Sequence, residues 1–319
     1  MSSWKVTLRT PDGDEMVVHP ESEATHGVYI AEDGVKGDII DAPIKSEWDS
    51  TTMQEGGTQR GVDYEYRDIH LAFHVTDNAM SAEEADSMLA MKFDVEEDEW
   101  DPTQNRQTQM TLETDMSGER CLDLLIADTT EYGIKQDPIV QQYFDPTFHL
   151  RAGQPMWYEP QGVARDQYKV YAWEFGTGDS IGGVEIENRT NRAMRHSWVV
   201  TGGVGTKVYL PDVSWVGPKG NRLIAGPNAS RMVQLPTIAE AHGGGFRVTL
   251  DRGKLMVRDF NNTNVLGQMP VPGSYFMYRI PPYTRKTTLP IQIESASEAG
   301  RIEFRAPQLW SRPYGLEMW

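Results

Sequence analysis

Cysteine is almost absent from this sequence, which contains a single one, Cys121, in 319 residues. One thiol cannot form a disulfide within the chain, and it cannot supply the several thiolates of a cysteine-rich zinc site. The sequence therefore excludes a disulfide scaffold and a multi-cysteine zinc fold, and it is compatible with folding in a reducing compartment.

Long apolar runs are also missing. No stretch approaches the roughly 20 apolar residues that a membrane-spanning helix needs, and the mean hydropathy of the chain is −0.54. The first ten residues, MSSWKVTLRT, lack the basic region and apolar run of a secretory signal. These features predict a soluble protein that is made in the cytosol and does not insert into membranes.

Basic residues are scarce relative to acidic ones. The chain has 30 Lys and Arg against 47 Asp and Glu, which gives a net charge of −17. A phosphate backbone requires neutralisation by Lys and Arg, so the chain as a whole should repel nucleic acid. The acidity indicates either an ordinary solvated surface or a surface that keeps DNA from adhering, and both interpretations exclude specific nucleic-acid binding.

Strand-like alternation dominates the first half of the chain. Trp4, Val6 and Leu8 alternate with polar residues, and the turn 11–14 leads into an apolar segment at 16–18, which predicts a hairpin. A second hairpin is predicted at 110–126, around the turn 115–118.

Residues 62–76 have the pattern of one long strand. Ile69, Leu71, Phe73 and Val75 share one face, but the apolar residues before them are in the opposite phase, so a bulge or kink is expected near 67–68. One helix is clearly signalled, because Ser81-Ala82-Glu83-Glu84 is a capping box followed by apolar residues at helical spacing.

Short strands and glycine-containing turns fill the second half. Alternation at 184–187, a hairpin across 246–257, and paired apolar residues at 291–293 and 302–304 predict a β-sandwich or barrel. At this length the chain should form about two domains of ~150 residues. The fold class is therefore mainly β, with a β-rich first domain that carries one helix and an all-β second domain.

Two motifs suggest a serine hydrolase. Residues 178–182 match G-x-S-x-G around Ser180, and 242–245 match the H-G-G-G oxyanion loop of some lipases. A nucleophile elbow must pass from strand to helix, however, and Ser180 is followed by glycines and an alternating segment. The H-G-G-G loop also follows the serine instead of preceding it. We interpret both motifs as glycine-rich β-turns and predict no catalytic residues.

Metal sites are not predicted either. The acidic run 94–101 begins like a calcium loop but has Glu99 where glycine is needed and Asn105 at the bidentate position, so a solvated loop is the better interpretation. His70 and His74 would lie about 13 Å apart along one strand, too far for one metal. We expect no metal and no cofactor.

An ordered series of motifs resembles one known family. HGVYIAEDGVKGDIIDAPIKSEWDS (26–50), RDIHLAFHV (67–75) and GQPMWYEP (153–160) resemble the N-terminal half of distal tail proteins, also called minor tail proteins, of long-tailed phages of actinobacterial hosts. The second half resembles the galectin-like half of these proteins in its segments GGVEIEN (182–188), SWVVTGG (197–203), FRVTLD (246–251) and RIPPY (279–283). The segment LWSRPYGLE (309–317) resembles their ending.

The resemblance implies an organisation and a function. It implies a belt or ring domain at 1–172, a galectin-like β-sandwich at 173–305, and an aromatic C-terminal arm at 306–319. It also implies a structural virion protein without enzymatic activity, which is assembled in the host cytoplasm and forms a ring, expected to be a hexamer, at the tail tip. The ring would join the tail tube protein to tail-tip and host-recognition proteins, and an acidic lining would suit a DNA conduit.

The family pattern is not complete. Where the galectin-like half often has Asn-Pro-Gly, this chain has Asn188-Arg189-Thr190, and Tyr283 replaces a glycine. No cluster resembles a sugar site. The alternative function, a carbohydrate-binding adhesion module of the tail tip, would require a groove in which aromatics such as Trp198, Tyr209 and Trp215 converge, whereas scattered aromatics in sandwiches are more often core residues.

The C-terminal arm is the predicted interaction site. Its large side chains would form an exposed apolar patch of the kind that marks interfaces, and Pro313 would stiffen the segment. Packing of the arm onto its own domain is the alternative, but we favour docking on a ring neighbour or a tip protein because the segment alternates poorly. The interface candidates are Trp310, Arg312, Tyr314, Leu316 and Trp319.

Overall fold

The chain forms two compact units. A computed structural model describes residues 4–93, 107–134, 137–251 and 254–318. The first unit consists of Met1–Glu159 and Trp310–Gly315, and the second of Pro160–Leu309 and Leu316–Trp319. A strand at 168–175 lies within the second unit, so the predicted boundary after residue 172 would divide that strand.

The first unit is built around one large antiparallel sheet in the order β2-β1-β7-β8-β10-β6-β3, with β9 paired to β6 and β11 to β8. A separate two-stranded hairpin, β4–β5, completes it. The strands are β1(Lys5–Arg9), β2(Glu15–His19), β3(Val28–Gly37), β4(Ile44–Asp49), β5(Thr58–Tyr64), β6(Arg67–Thr76), β7(Thr108–Thr114), β8(Gly118–Tyr132), β9(Tyr143–Phe144), β10(Pro146–Ala152) and β11(Trp157–Tyr158).

The hairpins and the helix form where the local signals predict them. β1 pairs with β2, and β7 with β8, across the two predicted turns. Helix α1(Ala82–Ala90) begins at Ser81, whose hydroxyl accepts a hydrogen bond from the Glu84 backbone N–H at 3.2 Å. Ala85 and Leu89 on this helix are fully buried and belong to the core of the unit.

One predicted strand is in fact two. β5 ends at Tyr64 and β6 begins at Arg67, and the two strands belong to different sheets. The prediction of a kink within a continuous strand was therefore wrong. The change of apolar phase instead marks a break, after which Ile69, Leu71, Phe73 and Val75 all face the core. A short helix, α2(Pro138–Gln141), which was not predicted, begins at the capping residue Asp137.

The second unit is a β-sandwich. A five-stranded sheet, β12-β22-β14-β19-β20, and a four-stranded sheet, β13-β21-β15-β18, contribute side chains to one hydrophobic core. β16 and β17 form a small hairpin. The strands are β12(Tyr168–Phe175), β13(Gly178–Asn188), β14(Ser197–Thr201), β15(Lys207–Pro211), β16(Trp215–Val216), β17(Leu223–Ile224), β18(Met232–Gln234), β19(Gly245–Thr249), β20(Val257–Asp259), β21(Thr284–Ala296) and β22(Gly300–Pro307).

The mainly β fold class is confirmed by this architecture. The last strand, β23(Leu309–Trp310), pairs with β11. Over the residues described, no helix has the length and apolar character needed to cross a bilayer.

Candidate functional site: the C-terminal segment and an exposed hairpin

Trp310 is a core residue of the first unit. Its side chain is fully buried and belongs to the same hydrophobic cluster as Trp157 and Leu122. The indole N–H donates to Glu159 Oε1 at 2.8 Å. The guanidinium of Arg120 lies 3.9 Å from the centre of the indole ring, within the range of a strong cation–π contact. Trp310 therefore packs within its own chain, which was the alternative to docking on another chain, and it is not an exposed interface residue.

Two buried arginines hold the segment around Trp310. Arg120 donates to the backbone carbonyls of Arg312 at 2.8 Å and Gly315 at 3.1 Å. Arg67 has no exposed surface and donates to five backbone carbonyls, those of Asp38, Ile39, Asp41, Pro155 and Ser311. Burial lowers the pKa of Arg67 to about 10, an effect that the nearby Asp38 and Asp41 oppose. Both guanidinium groups therefore act as cross-links between backbone segments.

The other arm residues are closer to the surface. Arg312 forms a bidentate ion pair with Asp41, with N–O distances of 2.5 and 2.8 Å, and this pair raises the pKa of Arg312. The ring of Tyr314 packs against Trp4 at 5.2 Å between centroids. Leu316 is 36% exposed, and its carbonyl accepts from the Tyr283 hydroxyl in the second unit. Trp319 lies outside the described residues. Docking of Arg312, Tyr314, Leu316 and Trp319 on another chain stays a prediction.

The β4–β5 hairpin has one apolar face that its own chain leaves in solvent. The register pairs Ile44 with Tyr64 and Ser46 with Val62, and the Trp48 indole donates to the Ser46 hydroxyl, so these residues share a face. Ile44 and Trp48 are each 62% exposed and Val62 is 43% exposed. We call this surface, formed by Ile44, Trp48, Val62 and Tyr64, the hairpin face.

The opposite side of the hairpin is charged. It carries the register pair Lys45 and Asp63, and an ion pair between Arg60 and Asp49 at 2.5 Å. The hairpin is thus amphipathic without packing its apolar side into either core cluster. This segment contributed to the family resemblance, but its exposed apolar face was not predicted. The alternation of Ile44, Ser46 and Trp48 before Gly56-Gly57 was the available signal.

The two hydrolase motifs lie in a strand and in a turn. Ser180 lies inside β13 and pairs with Ile293, so 178–182 is part of a strand and the interpretation of this motif as a turn was wrong. Gly243 and Gly244 do form a turn, with positive φ. The imidazole of His242 accepts from the Ala239 N–H at 3.1 Å within its own turn, and its Nε2 lies 3.1 Å from the side-chain oxygen of Gln268 in a different loop.

We expect Ser180→Ala to leave the protein unchanged. A serine in the middle of a strand lacks the helix start that positions oxyanion donors. The melting temperature of the variant and its hydrolysis of p-nitrophenyl esters, measured beside the parent protein, should both equal those of the parent. An esterase activity that this substitution abolishes would contradict our interpretation.

His70 and His74, which were predicted to lie too far apart to bind one metal, contact different partners. His70 packs against His149 at 4.3 Å between ring centroids, whereas His74 Nδ1 lies 2.5 Å from Asp145 Oδ1. Within the described ranges, no group of three or more His, Cys, Asp or Glu is arranged to hold a metal ion. The acidic run 94–101, which we interpreted as a solvated loop, lies outside those ranges.

The aromatics proposed for a sugar groove are dispersed. Trp198 is fully buried in the sandwich core, where its ring contacts Phe304 at 4.9 Å. The hydroxyl of Tyr209 donates to Glu294 at 3.0 Å, and Trp215 packs partly against the core. Trp198 is therefore not available to a saccharide.

Known proteins resemble this chain over nearly its full length. No protein-family model matches it. The minor tail protein Gp27 of Mycobacterium phage D29 is 23% identical over 328 residues, covering 91% of this chain and 93% of the relative.

Solved structures are similar as well. The Dit protein (gp 19.1) of SPP1, described as a paradigm of the hub adsorption apparatus in phages that infect Gram-positive bacteria, superposes with a TM-score of 0.50 at 10% identity, covering 94% of this chain and 98% of that one. A chain of the phage P2 baseplate in its activated conformation gives a TM-score of 0.45 at 9% identity, with coverages of 95% and 98%. The sequence relative and the SPP1 fold confirm the resemblance that the motifs indicate: over nearly its full length the chain is similar to a minor tail protein, and it has the fold of the SPP1 Dit protein.

Proposed function

We propose that this structural tail protein forms a closed homo-oligomeric ring, expected to be a hexamer, that joins the tail tube to the tail-tip hub and host-recognition proteins. The role requires surfaces for neighbouring chains and no catalytic groups. The protein would be assembled into the virion tail in the host cytoplasm.

The hairpin face carries this proposal. A two-stranded hairpin is at best marginally stable alone in water, and an exposed tryptophan between two aliphatic residues is typical of a protein interface. The face would pack against the first unit of the next copy. A hairpin on one copy and its receiving surface on the next form a heterologous contact, which is the kind that closes into a ring.

The distribution of charge supports a conduit formed by the first unit. This unit contains 12 Lys and Arg and 34 Asp and Glu, so its net charge is 12 − 34 = −22, whereas the second unit has 18 and 13, a net of 18 − 13 = +5. Negative charge concentrated in a ring would prevent DNA from adhering to the channel wall.

Removing the hairpin face should abolish assembly without unfolding the chain. In the double variant Trp48→Ser with Val62→Ser, loss of a tryptophan anchor should cost about 2 kcal/mol per interface, roughly a 30-fold weaker association. The chain would be co-expressed with its neighbouring tail proteins, because the isolated protein need not assemble. Native mass spectrometry would then count its copies in the complex.

The matched control removes the register pair Lys45 and Asp63 from the charged side of the same hairpin, as Lys45→Ser with Asp63→Ser. We expect the control and the parent to form the ring, and all three chains to melt at the same temperature. A tail-tip complex with one copy of this chain, or normal assembly of the Trp48 variant, would refute the proposal.

A further inference from the structure

The outer surface of the five-stranded sheet in the second unit bears four arginines. Arg247 on β19 pairs directly with Arg258 on β20. Val199 on β14 pairs with Arg247 on one side and with Glu303 of β22 on the other, so these side chains share the outer face. Arg301 and Arg305 lie two positions either side of Glu303 and face the same way. We call this surface, formed by Arg247, Arg258, Arg301 and Arg305, the arginine face.

Carboxylates neutralise only half of the arginine face. Glu303 contacts both Arg301 and Arg305 at 3.0 Å, and Glu174 lies 3.3 Å from Arg301. For Arg247 and Arg258, in contrast, the described part of the chain provides no ion pair within 4.0 Å. Their contacts are a cation–π contact of Arg247 with Phe260 at 5.0 Å and a hydrogen bond of Arg258 to the Asn262 amide oxygen at 2.8 Å.

The direct pairing of Arg247 with Arg258 does not favour the stability of the folded chain. Like charges directly opposite each other on neighbouring antiparallel strands are destabilising. In addition, Nε of Arg258 is buried and lacks a hydrogen-bond partner within the described residues. A carboxylate at one of these positions would stabilise the sheet more than the second arginine does.

We propose that the arginine face binds a linear polyanion whose charges are phosphate groups, and that Arg247 and Arg258 form its central contact. The planar guanidinium fork matches phosphate oxygens in a bidentate manner. Because a phosphate is tetrahedral, it offers oxygens on more than one side, and two guanidinium groups on adjacent strands can share it. In contrast, a single guanidinium group that binds a planar carboxylate in a bidentate manner already occupies both of its oxygens.

The surroundings favour a flexible polymer over a folded protein or a nucleic acid. Protein interfaces have cores depleted of charge, whereas this face has alternating charges around Val199. A duplex-DNA binder typically neutralises six or more phosphates, about three times the two uncompensated cations available here. The net charge of +5 on the second unit leaves its local field attractive to an anion, although the whole chain carries −17.

The probe is long-chain inorganic polyphosphate, and binding to the full chain would be measured by fluorescence anisotropy at low ionic strength. We expect binding that weakens steeply with salt. The double variant Arg247→Gln with Arg258→Gln should bind at least tenfold more weakly, and it should melt at the same or a higher temperature because a like-charge pair is removed.

The matched control removes the same charge from the other sheet, as Arg285→Gln with Lys286→Gln on β21. It should bind polyphosphate like the parent. Absence of binding by the parent, unchanged binding by the Arg247 variant, or an equal loss in the control would overturn the proposal. Poly-glutamate or duplex DNA bound as tightly as polyphosphate would also overturn it, because the ligand would then be an acidic protein segment or a nucleic acid.

Discussion

Replacing Trp310 by alanine should lower the free energy of unfolding of the first unit by about 3–5 kcal/mol. The substitution leaves a cavity where the indole fills the core, and it removes the cation–π contact with Arg120. The bond of the indole to Glu159 is lost as well. For a unit of this size the melting temperature should fall by about 10 °C.

The control is Trp48→Ala, which removes the same side chain from the exposed hairpin of the same unit. Since Trp48 is 62% exposed, its loss should change the free energy of unfolding by about 0.5 kcal/mol or less. Urea denaturation followed by circular dichroism would measure both variants.

Urea denaturation also distinguishes the two roles considered for the C-terminal arm, which are packing within its own chain and docking on another chain. Deletion of 309–319 removes Trp310 and the backbone carbonyls that accept hydrogen bonds from Arg120. We therefore expect the truncated chain to be destabilised as a monomer. If Trp310→Ala instead melts like the parent but blocks tail assembly, the indole is an interchain anchor and the intrachain packing is not its function.

Acidification should destabilise the second unit through His196. This imidazole is fully enclosed between the rings of Phe304, at 4.6 Å, and Trp198, and burial lowers its pKa to about 3. The unfolded chain takes up this proton near pH 6.5. The contribution of neutral His196 is therefore complete above pH 6.5 and is lost as the pH falls towards 3.

The expected slope is about 1.4 kcal/mol per pH unit below 6.5, which is about 3 kcal/mol between pH 6.5 and pH 4. Trp198 contacts His196 at 6.0 Å between centroids, and its fluorescence contributes to the unfolding signal of the nine tryptophans of the chain. Urea titrations at several pH values would give the free energy of unfolding at each.

His196→Phe keeps a planar ring against Phe304 and cannot take up a proton. The difference between the parent and this variant isolates His196 from the other groups that titrate in the same range. The free energy of unfolding of the variant should exceed that of the parent by an amount that increases as the pH is lowered. Parallel stability curves from pH 7 to pH 4 would show that His196 does not cause the acid sensitivity.

Local features of both units could be predicted from the sequence. The alternation of Ile69, Leu71, Phe73 and Val75 correctly predicted the buried face of β6, and the capping box at Ser81 predicted the start of α1. These predictions succeed because they depend on side-chain periodicity and on hydrogen bonds between residues at most a few positions apart. The family resemblance added the overall fold, which periodicity does not specify.

The candidate sites depended on contacts between distant segments. Arg67 has the local pattern of a strand residue, and its partners Pro155 and Ser311 are 88 and 244 positions away. The burial of Trp310, and the position of Arg247 opposite Arg258, likewise depend on which strands pair and in what register. Periodicity in the sequence determined which residues lie on the same face of an element. Only the tertiary structure decided which residues each face contacts, or whether it is exposed to solvent, because that depends on how distant segments pack together.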